Sequence, residues 1–138
     1  MQTINFDNGI YKGAVNQDGF PHGTGIYTFN SGDSYDGTFR NGKRNGRGKH
    51  TYKNGDTYEG NWRDDKRAGR GKYTYACGDV YEGDFLNDAR TGFGEYLCSN
   101  GNKYEGNFKD GVAKGFGTMY CKDGSVLEGE FKNDKIVD

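Results

Sequence analysis

Carboxylates stand at Asp36, Glu59, Glu82, Glu105 and Glu128, imidazoles at His22 and His50, and thiols at Cys77, Cys98 and Cys121. Converging on one cleft, such groups could act as general acids and bases, nucleophiles or metal ligands. Here they recur instead. The five carboxylates are 23 residues apart, as are Cys98 and Cys121. Regular spacing places equivalent residues in successive structural units and does not gather them. His50 falls where other units carry tyrosine and reads as a ring substitute; His22 reads as a loop residue. No nucleophile–base–acid set and no zinc-ligand spacing can be assembled. Gly-x-Gly pairs recur at Gly23/Gly25, Gly46/Gly48, Gly69/Gly71, Gly92/Gly94 and Gly115/Gly117. They open no helix and lack the Gly-Lys-Ser/Thr of a phosphate-cradling loop. The sequence therefore reads as non-catalytic, with no catalytic residue, no metal site and no cofactor.

The chemistry that remains belongs to aromatic and basic side chains. Each 23-residue unit ends in Tyr-x-Gly-x-aromatic: Tyr35 to Phe39, Tyr58 to Trp62, Tyr81 to Phe85, Tyr104 to Phe108, with Leu127 to Phe131 a weakened last copy. A strict period in this range marks a stacked repeat array. Only 31% of the 138 residues are hydrophobic, while 15% are aromatic and 25 are glycine. Disordered chains are poor in aromatics, so low hydropathy does not mean disorder here.

The elements that position these rings are strands, because apolar residues alternate with period two. Residues 46–52 and 57–62 read as one hairpin joined by Lys53-Asn54-Gly55. A three-residue loop pairs His50 with Tyr58, Gly48 with Gly60 and Gly46 with Trp62, and puts every large ring on one face. A one-residue slip would invert them. The next connection, Arg63 to Ala68, is expected to pair Trp62 with Gly69, Gly60 with Gly71 and Tyr58 with Tyr73. The prediction is an all-β, single-layer, twisted antiparallel meander of about ten strands, roughly 45–50 Å long at ~4.8 Å per strand. A glycine row from Gly25 to Gly129 then forms the floor of a trough. One wall carries Tyr27, Tyr35, His50, Tyr58, Tyr73, Tyr81, Tyr96 and Tyr104, the other Phe39, Trp62, Phe85, Phe108 and Phe131. The opposite face carries a ladder, Asp36, Lys49, Glu59, Lys72 and Glu82, whose alternation of sign fails at Glu82, Glu95 and Glu105.

These Gly-x-Gly, Gly-Asp and Tyr-Glu-Gly-x-aromatic elements, recurring over residues 11–131, closely resemble the MORN (membrane occupation and recognition nexus) repeat family. The resemblance implies a hairpin repeat and a coiled single-layer ribbon. It also implies a module role: members occur in cytoskeletal and ciliary scaffolds, membrane-junction proteins, lipid kinases and methyltransferases. In some, the aromatic groove holds a partner helix, and the family name records proposed phospholipid contact. The chain departs from the pattern at both ends. The Gly9 turn is one residue short, the following loop carries the only proline, Pro21, and the last repeat has Met119 and Leu127 for aromatics. Residues 1–138 read as one domain, with an N-terminal cap at 1–22, four regular repeats at 23–114, and a fifth repeat with C-terminal cap at 115–138.

The expected function is a protein-interaction scaffold that takes a helical or extended peptide in the groove lined by Tyr27, Tyr35, Phe39, Tyr58, Trp62, Tyr73, Tyr81, Phe85, Tyr96, Tyr104 and Phe108. On this reading Trp62→Ala removes binding and leaves the sheet folded. Homodimerisation through the same groove is one alternative. The other is an anionic membrane surface, meeting phosphoinositide or phosphatidate at Arg40, Lys43, Arg44, Arg47, Lys66, Arg67 and Arg70. Net charge is −1, so no global drive toward nucleic acid is expected. The charge is uneven. Residues 1–76 hold 12 Lys/Arg against 8 Asp/Glu, and residues 77–138 hold 7 against 12. The sequence shows no signal-peptide pattern and no membrane-spanning apolar run. Cys98 and Cys121, predicted two strand spacings or roughly 9–10 Å apart, exceed the ~7 Å reach of a disulfide. Free thiols of this kind point to a cytoplasmic setting, with cytoskeletal or membrane association.

Overall fold

The computed structural model describes residues 2–137. Thirteen antiparallel strands follow one another in chain order in a single sheet. They are β1 (Gln2–Phe6), β2 (Gly9–Val15), β3 (Pro21–Phe29), β4 (Ser34–Arg40), β5 (Lys43–Thr51), β6 (Thr57–Arg63), β7 (Lys66–Thr74), β8 (Val80–Leu86), β9 (Ala89–Leu97), β10 (Lys103–Lys109), β11 (Val112–Tyr120), β12 (Val126–Lys132) and β13 (Lys135–Val137). The ten expected strands are β3 to β12. The β1–β2 hairpin precedes them and carries the glycine row back to Gly13, which faces Gly25. His22 lies in β3, not in a loop.

The first type of hairpin forms as the register argument requires. His50 faces Tyr58, Gly48 faces Gly60 and Gly46 faces Trp62. The loop is closed by two backbone bonds, Tyr52 N to Asp56 O at 2.9 Å and Gly55 N to Tyr52 O at 3.0 Å. Gly55 sits at φ +99°, a left-handed conformation that explains the glycine.

The second connection differs from the expected six-residue loop. Arg63 pairs with Lys66 and Trp62 with Arg67, not Gly69. The turn is only Asp64-Asp65, at φ +48° and +70°, the type I′ conformation that matches strand twist. The excess length becomes a bulge in which Ala68, Gly69 and Arg70 stand opposite Asn61. Such a bulge bends its strand and raises the local twist. The first glycine of each Gly-x-Gly pair sits in this bulge with positive φ, +90° at Gly46 and +70° at Gly69. Each turn also reaches back to the preceding bulge, as in Asp65 N to Arg44 O at 2.9 Å and Asp88 N to Arg67 O at 3.1 Å.

The core is a spine of rings on one face. Tyr11, Tyr35, Tyr58 and Tyr81 are 0% exposed. Tyr11 meets Phe39 edge to face, and the other three meet two partners so: Tyr58 meets Trp62 at 5.1 Å and Phe85 at 5.0 Å, and Tyr81 meets Phe85 at 5.2 Å and Phe108 at 5.0 Å. The chain of contacts runs unbroken from Tyr11 and Phe39 to Tyr104 and Phe131. Such pairs are worth about 0.5–1.5 kcal/mol beyond area burial. The glycine row makes room for them. A Cβ on Gly71 would lie 2.5 Å from Cζ of Tyr58, and one on Gly60 would lie 2.5 Å from Cα of Gly71.

Candidate functional site

The spine hydroxyls are satisfied internally. Tyr35, Tyr58 and Tyr81 donate to the carbonyls of Thr38, Asn61 and Asp84 at 2.9, 2.8 and 2.9 Å. Burial pushes the Tyr35 and Tyr81 phenols up to about 12. These rings are therefore the core of the isolated chain and not open anchors. Trp62 is 4% exposed, and its Nε1 donates to the Gly48 carbonyl at 3.2 Å. Trp62→Ala is thus a core truncation, costing about 3–5 kcal/mol, and cannot separate binding from folding. Phe39, Phe85, Tyr104 and Phe108 are buried in the same way, and Tyr27 and Tyr73 nearly so.

A second line of rings lies beside the spine. Tyr73 donates to Asp56 Oδ2 at 2.6 Å, Tyr96 to Asp79 Oδ2 at 2.7 Å, and Tyr27 to Asn8 Oδ1. His50, 2% exposed, holds the equivalent place. Its Nε2 lies 3.1 Å from Asp33 Oδ2 and its Nδ1 lies 3.0 Å from Arg44 Nη1. A guanidinium can only donate, so Nδ1 accepts and the neutral ring carries its proton on Nε2, toward Asp33. Burial, aided by the Arg44 charge, holds the His50 pKa below its ordinary value against the pull of Asp33. Burial works the other way on Asp33, yet bonds from His50 and the Lys53 amide keep its carboxyl below the usual range.

Two features of this face escaped the register argument. One is a further row, Phe6, Phe29, Tyr52 and Tyr75, half-buried against the core. Its period is again 23 residues, so the signal was present: positions 98 and 121 continue it as the two cysteines. The other is a set of arginines. The bulge turns Arg44, Arg67 and Arg90 onto the aromatic face, opposite Phe39, Trp62 and Phe85 in turn. Arg44 lies 4.4 Å over the Trp62 ring and donates through Nε to Asp65 at 3.1 Å. Arg67 lies 5.1 Å over Tyr73 and donates to Asp88 at 3.3 Å. Cation–π contact and ion pairing thus occupy two of the seven residues read as an anion site. Strand alternation puts Arg47 and Arg70 on the opposite face, while Arg40, Lys43 and Lys66 flank the two-residue turns. The seven do not form one patch.

The pattern changes in the fourth and fifth repeats. Gly111 stands where Asp65 and Asp88 stand, so among the described residues Arg90 bonds only its carbonyl and pairs with no carboxylate. Ala113 stands where Arg44, Arg67 and Arg90 stand, so among the described residues the Asp134 carboxylate receives only the Ala113 amide, at 2.6 Å. Cys98 replaces a row tyrosine and Met119 a wall tyrosine. The smaller side chains leave a cleft of about 300 Å³ bounded by Arg90, Tyr96, Cys98, Tyr104, Phe108, Ala113, Met119 and Asp134. A second, more polar cleft of about 340 Å³ lies over His50, Asp33, Arg44 and Tyr52.

A single-layer sheet of repeated hairpins, held by a ring spine over a glycine row, defines a β-hairpin repeat protein. The chain belongs to the MORN repeat family, whose model matches residues 17–34, 35–57, 58–80, 81–103 and 104–126. No curated protein sequence matches it significantly. Among solved structures there is a distant likeness to the TCP domain of SAS-4 (dCPAP) of Drosophila melanogaster, solved with a proline-rich motif of Ana2 (dSTIL). That match has 12% identity and a TM-score of 0.38, and covers 94% of this chain and 83% of the other.

Proposed function

We propose that the chain is a non-catalytic protein-interaction module whose partner segment, helical or extended, lies along the aromatic face. The spine supplies rigidity. Contact falls on its accessible border, Phe29, Tyr52, Tyr75, Tyr96 and Met119, and an anchoring side chain enters the cleft at Arg90. The observation that carries this reading is the interrupted pattern there. Repeats two and three close the face with Arg–Asp pairs, whereas the next leaves a guanidinium without a carboxylate beside a carboxylate without a guanidinium. An apolar anchor flanked by an acidic group fits that wall.

Ala113→Arg tests the reading. It restores the arginine that Asp65 and Asp88 have in their own repeats, and so fills the cleft without removing any core ring. The variant should fold at least as stably and lose the partner that wild type retains from native cell extract. Equal retention by the folded variant contradicts the proposal.

A further inference from the structure

The polar face of β8 to β12 differs from the rest of that face. The N-terminal half of the central ladder alternates in sign: Asp36 faces Lys49, Lys49 faces Glu59, Glu59 faces Lys72 and Lys72 faces Glu82. Beyond it Glu82 faces Glu95 and Glu95 faces Glu105, and one strand further Glu128 faces Thr118. Like charges directly opposite are unfavourable. Within the stretch Lys103 gives partial relief, its Nζ lying 2.8 Å from Glu105 Oε1.

The flanking rows change with it. In the first half the residues beside the ladder are serine, threonine, asparagine and arginine, as at Ser34, Thr38, Arg47, Asn61 and Arg70, and the exposed large apolar side chains are Ile10 and Ile26 on β2 and β3. In the second half Phe93 and Phe116 line one side, 55% and 74% exposed, and Leu97, Tyr120 and Val126 line the other, also exposed. Phe93, Phe116, Glu105 and Glu128 bound a shallow depression of about 550 Å³ floored by Gly106, Gly117 and Gly129. Exposed large side chains are ordinary when scattered singly; gathered on both sides of one acidic row they mark a contact surface.

We propose that this surface, on the side of the sheet opposite the aromatic face, docks a basic amphipathic segment of a partner protein. Lysine or arginine side chains meet Glu95, Glu105 and Glu128, and apolar side chains of the same segment cover Phe93 and Phe116. Opposite charge chooses the occupant: on this face of β8 to β12, alternation places Glu82, Asp84, Glu95, Glu105, Glu128 and Glu130 against Lys103, Lys109 and Lys132, an excess of negative charge. The site shares no residue with the aromatic cleft, so the two can be occupied together.

The test uses the full chain and three synthetic peptides of equal length at physiological salt: alternating Lys-Leu, alternating Lys-Ser and alternating Glu-Leu. The Lys-Leu peptide should bind and shift the backbone amide resonances of β9 to β12, and the other two should bind at least about tenfold more weakly. Phe93→Ser/Phe116→Ser and, separately, Glu95→Gln/Glu128→Gln should each weaken it by at least about tenfold. All four positions are on the exposed face, so circular dichroism should be unchanged, and Ala113→Arg should bind the peptide as wild type does. Equal binding of the Lys-Ser peptide would reduce the surface to charge alone and overturn the proposal. So would resonance shifts confined to the aromatic face, or light scattering showing a dimer that Phe93→Ser/Phe116→Ser dissolves, which would assign the surface to a second copy of this chain.

Discussion

At the residue scale, one tyrosine per repeat does two things. Its ring lies across the glycine of the next strand, and its hydroxyl ties down the carbonyl three residues on. Tyr58→Phe keeps the edge-to-face contacts and removes only the 2.8 Å bond to Asn61. It should lower stability by about 1 kcal/mol, read as a fall in the urea midpoint with an unchanged slope. Gly60→Ala should cost more, about 3 kcal/mol, because its Cβ meets backbone that cannot retreat. His50 gives a pH dependence. Its folded-state pKa lies below the ordinary value of 6.5, chiefly through burial, so the unfolded chain protonates first. The stability due to neutral His50 is complete above that value and is lost as pH falls from it toward the folded-state pKa. Asp33, also lowered, keeps its contribution until pH falls below 3.8, outside that window. Urea midpoints at pH 7.5 and 5.0 should therefore differ more for wild type than for His50→Tyr, which recreates the Tyr73–Asp56 arrangement. Identity of residue type was enough to read His50 as a ring substitute. The Asp33 and Arg44 bonds were not legible, because they join residues 17 and 6 positions apart through a bulge that spacing alone does not reveal.

At the element scale, the two connections of each repeat differ in how far the sequence disclosed them. The glycine-closed loop could be read because only one register puts all rings on one face. The second connection could not, because a six-residue loop and a two-residue turn with a bulge keep Gly60 opposite Gly71 equally well. The difference matters: the bulge is what turns Arg44, Arg67 and Arg90 onto the aromatic face. It also gives the turn aspartates different jobs. Asp65 accepts from the Arg44 amide at 2.8 Å and from its Nε at 3.1 Å. Asp65→Gly should cost about 1 kcal/mol, a modest value because the pair is partly exposed. Asp64→Gly relieves a positive φ without touching that pair and should be neutral or stabilising. Chemical denaturation of the two single variants separates them, and equal losses would refute the assigned roles.

At the scale of the whole molecule, the repeat sets the fold and its departures set the sites. In the regular units Arg44 and Arg67 pair with Asp65 and Asp88, and on the other face Glu59 stands between Lys49 and Lys72. Where these pairings lapse, at Gly111 and Ala113 on one face and along Glu82, Glu95 and Glu105 on the other, the sheet presents charge that is only partly matched beside apolar surface. The glutamate lapse was visible in the sequence from register alone. The arginine lapse was not, since a six-residue connection from Arg63 to Ala68 leaves Arg67 outside the ladder, whereas the bulge pairs it with Trp62. The expected trough was real as a row of rings, yet its walls proved to be buried core. Partner contact is therefore proposed on the half-buried border row and the cleft at its C-terminal end. The most direct test of this account is retention of partner protein from native extract by wild type and by Ala113→Arg, with urea midpoints measured on both. The account predicts a variant that is at least as stable and retains no partner; a variant that is equally stable and retains the same partner would contradict it.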